Sequence, residues 1–188
     1  MPARSIHLIQ RFFGSVLARA VVTEDETWAA HYLNEPELAL WRALGRTDKV
    51  ESIDVARRFI SNPVVADAQL SNNEELVAAA LLHDIGKKDS QLGTSSRVLA
   101  TVIGRFAGPK RSGRWVKCRG LKRRIGSYLH HAEIGADLIR ASGGRDLVAA
   151  WAGVHHDPAR WEACGIPISI CRALATADGE SVVGDLAD

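Results

Sequence analysis

Apolar side chains recur every three or four residues along most of this chain, and that spacing constrains its fold more than any other feature. The pattern is clearest in the run Val50, Ile53, Ala56 and Ile60. Such spacing places apolar residues along one face of an α-helix, whereas a half-buried β-strand would alternate at every second residue. The sequence therefore predicts an all-α protein, a bundle of about seven or eight helices.

Residues that begin or end helices divide this pattern into segments. Pro36 suits a first helical turn, and Asp48 can cap the helix that follows. Asn72 or Asn73 can cap the next long helix, which should close just before Gly86 because glycine commonly follows a helix end. These residues predict where the helices of the bundle begin and end.

The length of 188 residues fits one domain with a buried core. We expect a single domain over residues 1–188, with an N-terminal helical extension at 1–35, a helical core at about 40–180 and a basic insertion at 109–125. No apolar run approaches the ~20 residues that span a bilayer. The three cysteines are odd in number and lack CxxC spacing. These features favour a protein without a membrane span, located in the reducing cytoplasm.

Positive charge is concentrated in one segment, which we name the basic strip. It contains eight basic residues and no acidic ones: Lys110, Arg111, Arg114, Lys117, Arg119, Lys122, Arg123 and Arg124. Removing these eight charges from the net charge of +2 leaves −6 on the rest of the chain. We interpret the strip as a loop or an exposed helical turn, with three open roles. It could recruit substrate phosphate, contact nucleic acid or anionic lipid, or be a solvated face.

Histidines and acidic residues gather at predicted helix ends in the second half of the chain. These residues are His83 with Asp84, the adjacent pairs His130–His131 and His155–His156, and Asp178. Imidazole and carboxylate groups are suitable ligands for Zn, Mn, Fe and similar ions. Several helices of a bundle can direct such groups into one interior site. Isolated histidines such as His7 and His31 are expected to be ordinary core or surface residues.

The string from Leu82 to Lys87, which reads Leu-His-Asp-Ile-Gly-Lys, resembles the signature of HD-domain metal-dependent phosphohydrolases in its His-Asp-Ile-Gly variant. Later features follow in the order typical of that family: His131 with Gly135, the pair His155–His156, and Asp178. The resemblance covers about residues 40–180 and implies an HD-like helical core. It also implies hydrolysis of a phosphomonoester or phosphodiester, in a nucleotide or related metabolite, by a metal-activated water.

The same resemblance implies one or two divalent ions, among which Fe, Mn, Zn, Mg, Ni and Co are not distinguished. One ion would be held by His83, Asp84 and Asp178, together with Glu51. A second ion would be held by His131, His155 and His156, with Asp84 bridging the two. Asp84 and Lys87 would be the catalytic residues, because a lysine beside the metals can neutralise charge on the transferring phosphoryl group. Arg119, Lys122 and Arg123 are candidates to bind substrate phosphate.

One departure from the family pattern leaves a second interpretation open. Glu51 stands where family members usually have a histidine. A carboxylate can bind a divalent ion, although it favours harder cations, and Glu51 could equally be a solvated helix residue. The chain could then be a catalytically weak or inactive HD-like module that binds a phosphorylated ligand or nucleic acid through its basic strip. The clustered histidines favour the enzyme, because an inactive site has no physical need to keep several buried imidazoles.

Overall fold

In a computed structural model, residues 23–90 and 107–179 are described, together with positions 92, 96, 100, 101, 103 and 104. Every regular element of these residues is helical, which confirms the all-α prediction. The α-helices are α1 (Thr23–Tyr32), α2 (Glu35–Arg42), α3 (Arg46–Ile60), α4 (Pro63–Asp67), α5 (Glu74–Leu82), α6 (Pro109–Trp115), α7 (Gly120–Leu129), α8 (His131–Ser142), α9 (Asp146–Val154) and α10 (Ile168–Asp178). Two 3₁₀ segments, Ile85–Ser90 and Pro158–Cys164, interrupt this series.

The described helices outnumber the seven or eight expected. Short elements such as α4, with five residues, hold too few apolar positions to show a helical period. Among the described residues, no helix combines the length and apolar character needed to cross a bilayer. In the predicted N-terminal extension, α1 is helical and contributes Ala29 and Tyr32 to the main core, whereas residues 1–22 lie outside the described part.

Local capping explains several helix starts. The Asn34 side chain accepts a hydrogen bond from the Glu37 backbone N, with Pro36 in the first turn of α2 as predicted. The Asn73 side chain accepts one from the Leu76 N at 3.1 Å, which confirms the predicted cap of α5. The cap predicted at Asp48 is wrong. Gly45 precedes α3, and Asp48 lies inside its first turn, where a carboxylate favours the helix dipole.

The basic strip was expected as a loop or an exposed helical turn. The loop alternative is wrong, and the exposed helical structure is longer than a single turn. Most of it is helical, because α6 and α7 cover residues 109–115 and 120–129. Lysine and arginine are good helix formers, and the inward face of α7 carries apolar residues. Ile125, Tyr128 and Leu129 pack in a small second core with Leu92 and Ala100.

Helix α5 lies at the centre of the main core. Its residues from Leu76 to Leu82 are all buried, and α1, α2, α3 and α9 pack around it. A helix that is apolar on every side is stable only when it is surrounded. Because His83 and Asp84 directly follow α5, the most constrained helix of the bundle positions them.

A buried ion pair fastens α2 to the turn before α9. Glu37 is fully buried, and the guanidinium of Arg145 donates to both of its carboxylate oxygens, the shortest contact being 2.6 Å. The backbone N of Arg145 donates to the same carboxylate at 2.9 Å, and its Nη2 donates to the Tyr32 carbonyl at 2.6 Å. Residues 108 positions apart are therefore joined by a satisfied charge network.

Replacing Arg145 by alanine should lower the free energy of unfolding by about 3–5 kcal/mol, because it leaves the Glu37 carboxylate buried without its counter-charge. Urea denaturation would measure the loss. The matched control is Arg42→Ala, which breaks the solvent-exposed pair with Glu26. That change should cost about 0–1 kcal/mol. Equal losses of unfolding free energy in the two variants would show that the buried Arg145–Glu37 pair stabilises the fold no more than an exposed pair.

Candidate metal centre

Six of the seven residues predicted to bind metal lie at the ends of four helices, and the seventh, Glu51, lies within α3. His83 and Asp84 follow α5, His131 begins α8, His155 and His156 follow α9, and Asp178 ends α10. We name these six residues the His/Asp cluster. Gly179 adopts a left-handed φ of +90° immediately after Asp178 and ends α10 there. Helix ends separated by as many as 95 positions in sequence thus meet at one place.

Asp84 is the residue around which the cluster is arranged. Its Oδ1 lies 3.0 Å from the His131 Nε2 and 3.6 Å from the His155 Nε2. Its Oδ2 lies 3.3 Å from the His83 Nε2 and forms an ion pair with Lys87. The two oxygens of one carboxylate therefore face two different groups of partners.

Asp178 and His156 complete the two groups. The Asp178 Oδ1 lies 3.2 Å from the His83 Nε2, on the Oδ2 side of Asp84. The Nε2 atoms of His156 and His131 are 3.2 Å apart on the other side. One ligand atom from each of Asp84, His131, His155 and His156 lies within 4.8 Å of the others, although His156 is exposed to solvent.

Backbone carbonyls orient three of the imidazoles in the same way. The Nδ1 atoms of His83, His131 and His155 lie 2.9, 2.7 and 2.8 Å from the carbonyl oxygens three residues earlier. A carbonyl can only accept a hydrogen bond, so each Nδ1 carries a proton and donates it. This contact fixes the ring and directs Nε2 toward Asp84, as in histidines that bind metals.

Three buried atoms of the cluster have no hydrogen-bond partner among the described residues. They are the His83 Nε2, the Asp84 Oδ1 and the His155 Nε2. A buried polar group without a partner costs about 1–3 kcal/mol, and more if it is charged. Cations bound beside the two Asp84 oxygens would satisfy these atoms, so the donor set fits divalent metals of the kind that imidazole and carboxylate bind.

The charges of the cluster influence one another strongly. Burial alone would lower the pKa of His83, but the Asp84 and Asp178 carboxylates outweigh it and raise that pKa well above its usual range. Burial would raise the pKa of Asp84, yet Lys87 and His83 hold it well below its ordinary value. Burial opposes ionisation of Asp178 too, but the charge on His83 brings its pKa to about 2. Near neutral pH both carboxylates are therefore ionised, and the His83 imidazole beside them is protonated.

His155 behaves in the opposite way. Burial lowers its pKa to about 4, so its imidazole is neutral near pH 7. Neutral imidazole is the form that binds a metal ion. The side of the cluster formed by His155 is therefore ready to accept a cation without losing a proton.

Lys87 and Glu51 lie beside the cluster. Burial alone would lower the pKa of Lys87, but the carboxylates of Asp84 and Glu51 raise it above its usual range. Burial raises the pKa of Glu51, and the positive charge of Lys87 opposes the rise. Glu51 is half-buried on α3 and interacts electrostatically with His83, Asp84 and Asp178. These interaction partners of Glu51 are the groups that lie on the Oδ2 side of Asp84.

Other predicted residues lie away from the cluster. Arg119, Lys122 and Arg123 are exposed at the start of α7, and none of the described contacts joins them to the His/Asp cluster. Their binding of substrate phosphate stays a prediction. His130, adjacent to His131 in the chain, is directed elsewhere, with its Nε2 3.0 Å from the Ser112 Oγ.

The sequence did not reveal how closely the backbone of the first 3₁₀ segment approaches α8. A Cβ atom on Gly86 would overlap the His131 carbonyl oxygen and lie 2.7 Å from the Gly135 N. Gly86 has no left-handed φ among the described backbone angles, so its predicted role as a helix-ending residue is wrong. It is required because α8 lies against it. In the sequence, this contact was indicated only by the presence of a glycine in each segment, Gly86 and Gly135.

Comparison with known proteins identifies the family. A model of the HD domain family matches residues 64–182. This range contains the whole His/Asp cluster and Lys87, whereas Glu51 precedes it. No curated protein and no solved structure gives a significant match.

Replacing Gly86 by alanine should push α8 away from the 3₁₀ segment and displace His131. We expect a loss of about 1–3 kcal/mol in the free energy of unfolding, measured with urea. We also expect weaker Mn²⁺ binding, measured by calorimetry. In the control variant Gly113→Ala, the new Cβ would lie 3.6 Å from the His130 ring, an ordinary contact inside a helix. Wild-type stability and metal affinity in Gly86→Ala would show that the close contact is dispensable.

Proposed function

Because the chain belongs to the HD-domain family, we propose that it is a metal-dependent phosphohydrolase that uses water to cleave a phosphomonoester or phosphodiester, in a nucleotide or related metabolite. One observation carries the proposal. Three buried atoms, the His83 Nε2, the Asp84 Oδ1 and the His155 Nε2, lack hydrogen-bond partners among the described residues. The Nδ1 atoms of both histidines are already used by backbone carbonyls, so their Nε2 atoms are the ones left to bind a cation.

The two oxygens of Asp84 divide the proposed ligands into two groups. His83 and Asp178 would act with the Oδ2 of Asp84. His131, His155 and His156 would act with its Oδ1. A bound divalent ion lowers the pKa of water and polarises a phosphoryl oxygen, and a pair of ions can do both at once. The bridging position of Asp84 favours two ions over one.

Glu51 is proposed as a further ligand on the Oδ2 side. It occupies the helix that packs on α5 and interacts electrostatically with His83, Asp84 and Asp178. An added carboxylate makes this side richer in oxygen than the side formed by His131 and His155. Oxygen ligands suit harder cations such as Mn²⁺ and Mg²⁺. We therefore expect the two positions to differ in the metal that they prefer.

Lys87 supplies a fixed positive charge beside Asp84. Its ammonium group pairs with the Asp84 carboxylate, and its raised pKa keeps it protonated across the physiological range. A positive charge held in a largely buried site stabilises the negative charge that develops on phosphoryl oxygens. On the inner side, apolar residues including Val55, Trp151 and Leu174 line a crevice beside His83 and His155. The substrate would therefore approach from the side of Lys87 and the exposed His156.

Metal content and turnover test the proposal directly. We expect the purified chain, reconstituted with Mn²⁺, to bind one or two equivalents and to hydrolyse a nitrophenyl phosphate ester. Asp84→Asn should remove most of the metal and reduce turnover by ~100-fold or more, because one carboxylate serves both groups of ligands. The control is Asp137→Asn, which alters a carboxylate that is 83% exposed on α8.

Wild-type turnover in Asp84→Asn would show that the mechanism is wrong. Failure to bind Mn²⁺, Fe²⁺ or Zn²⁺ after reconstitution, together with no turnover, would favour the inactive binding module. In that case the three buried atoms would be satisfied by ordered water.

Metal binding should also release a proton. The carboxylates of Asp84 and Asp178 keep His83 protonated near neutral pH, and its Nε2 must lose that proton before it can bind a cation. We expect release of about one proton per ion at this position, and an affinity that falls as the pH is lowered. Calorimetric titration with Mn²⁺ in two buffers of different ionisation enthalpy measures the proton count.

The variant His155→Gln is the control for this count. Since the pKa of His155 is about 4, its imidazole has no proton to lose near pH 7. The variant should bind metal more weakly but release as many protons as the wild type. Binding without proton release in the wild-type protein would contradict the charge state assigned to His83.

A further inference from the structure

The basic strip is carried by two helices whose backbones are in contact. A Cβ atom on Gly126 of α7 would lie 2.6 Å from the Val116 N and 2.7 Å from the Trp115 carbonyl carbon. Glycine at this position lets α6 and α7 approach closely. Basic side chains of both helices and of the turn between them therefore lie in one region of the protein, which we call the basic surface.

Every basic side chain from Arg111 to Arg124 is exposed, seven in all. No acidic residue occurs between positions 107 and 132. Within the described part of the chain, none of the seven forms a salt bridge. One of them touches the rest of the protein through a hydrogen bond, in which the Arg124 Nε donates to the Ser90 carbonyl at 3.1 Å. The surface thus holds seven positive charges, while the chain outside the basic strip carries −6.

We infer that this surface binds the phosphodiester backbone of a nucleic acid without reading its sequence. A repeating row of phosphates is the partner that matches many closely spaced cations with no interspersed carboxylate. Five of the seven cations are arginines, whose planar guanidinium groups bind phosphate oxygens in pairs. Half or more of the contacts that proteins make with DNA are to phosphate and sugar, and these contacts carry no sequence information.

The orientation of α7 argues against an anionic membrane as the partner. A helix that lies in a bilayer interface exposes a wide apolar face. Here Ile125, Tyr128 and Leu129 pack into the second core, and Leu121 is the large apolar side chain that α7 exposes among the described residues, at 64%. Trp115 also packs against that core, so it is not presented for stacking on a base. Charge should therefore supply most of the affinity.

The surface and the His/Asp cluster are joined by α7. At its far end the Tyr128 ring stacks on His131, with centroids 5.9 Å apart. Lys122 and Tyr128 are separated by about 9 Å along the axis, at 1.5 Å per residue. A nucleic acid on this surface would pass within reach of the cluster, but its binding does not require metal or hydrolysis. The inference is therefore independent of the proposed function.

Fluorescence anisotropy with a labelled oligothymidylate of about 20 nucleotides tests the inference, using the full chain in EDTA. If five of the cations contact phosphates, binding should weaken about 100-fold between ~50 and ~200 mM salt, since each contact to a single strand contributes about −0.7 to the logarithmic slope. The triple variant Arg119→Gln, Lys122→Gln and Arg123→Gln should bind at least ~10-fold more weakly. Its salt slope should be shallower by about 2.

The matched control is Arg140→Gln, Arg160→Gln and Arg172→Gln. These arginines are exposed on other elements, and the control changes the net charge by the same amount. It should bind within about twofold of the wild type. Three results would overturn the inference: no binding at ~50 mM salt, equal weakening in both triple variants, or tighter binding to phosphatidylcholine vesicles with about one third phosphatidylserine than to the oligonucleotide.

Discussion

The buried carboxylate of Asp84 is the group on which the rest of the site depends. Its two oxygens face His131 and His155 on one side and His83 and Lys87 on the other. Burying a carboxylate is costly unless cations and hydrogen-bond donors surround it, and much of the surrounding structure supplies them. The protein alone does not satisfy this carboxylate fully, because the Asp84 Oδ1 has no hydrogen-bond partner among the described residues. A divalent ion is the simplest group that completes it.

The scaffold holds this carboxylate through ordinary packing. Helix α5 is buried on every side, so the residues that follow it have little freedom. Gly86 lets α8 lie against the first 3₁₀ segment, which brings His131 to Asp84. Hydrogen bonds from the imidazole Nδ1 atoms to backbone carbonyls then set the ring orientations. Position and orientation of the ligands therefore come from the protein before any ion binds, which is the usual condition for a precise metal site.

Charge is distributed unequally between the two ends of α7. Its first half belongs to the basic strip, where exposed cations have no carboxylate partner within the described residues. Its last turn contributes Tyr128, which stacks on His131 at the edge of the His/Asp cluster. The cluster contains two ionised carboxylates and four imidazoles and attracts cations, whereas the basic strip attracts phosphates. With divalent ions bound in the cluster, a phosphorylated ligand would meet positive charge at both ends of this helix.

The sequence by itself determined the helical class, the place of Pro36 in a first helical turn and the cap at Asn73, because each depends on residues within a few positions of one another. The sequence also contains the order of the clustered histidines and aspartates. It did not determine the role of Gly86 or the pairing of Glu37 with Arg145. These depend on contacts between helices that are distant in the chain, and only packing decides which faces meet. The basic strip failed as a loop prediction for the same reason, since α7 is stabilised by a core formed with residues outside the strip. Local patterns specify elements, whereas the site exists only where the ends of four helices converge.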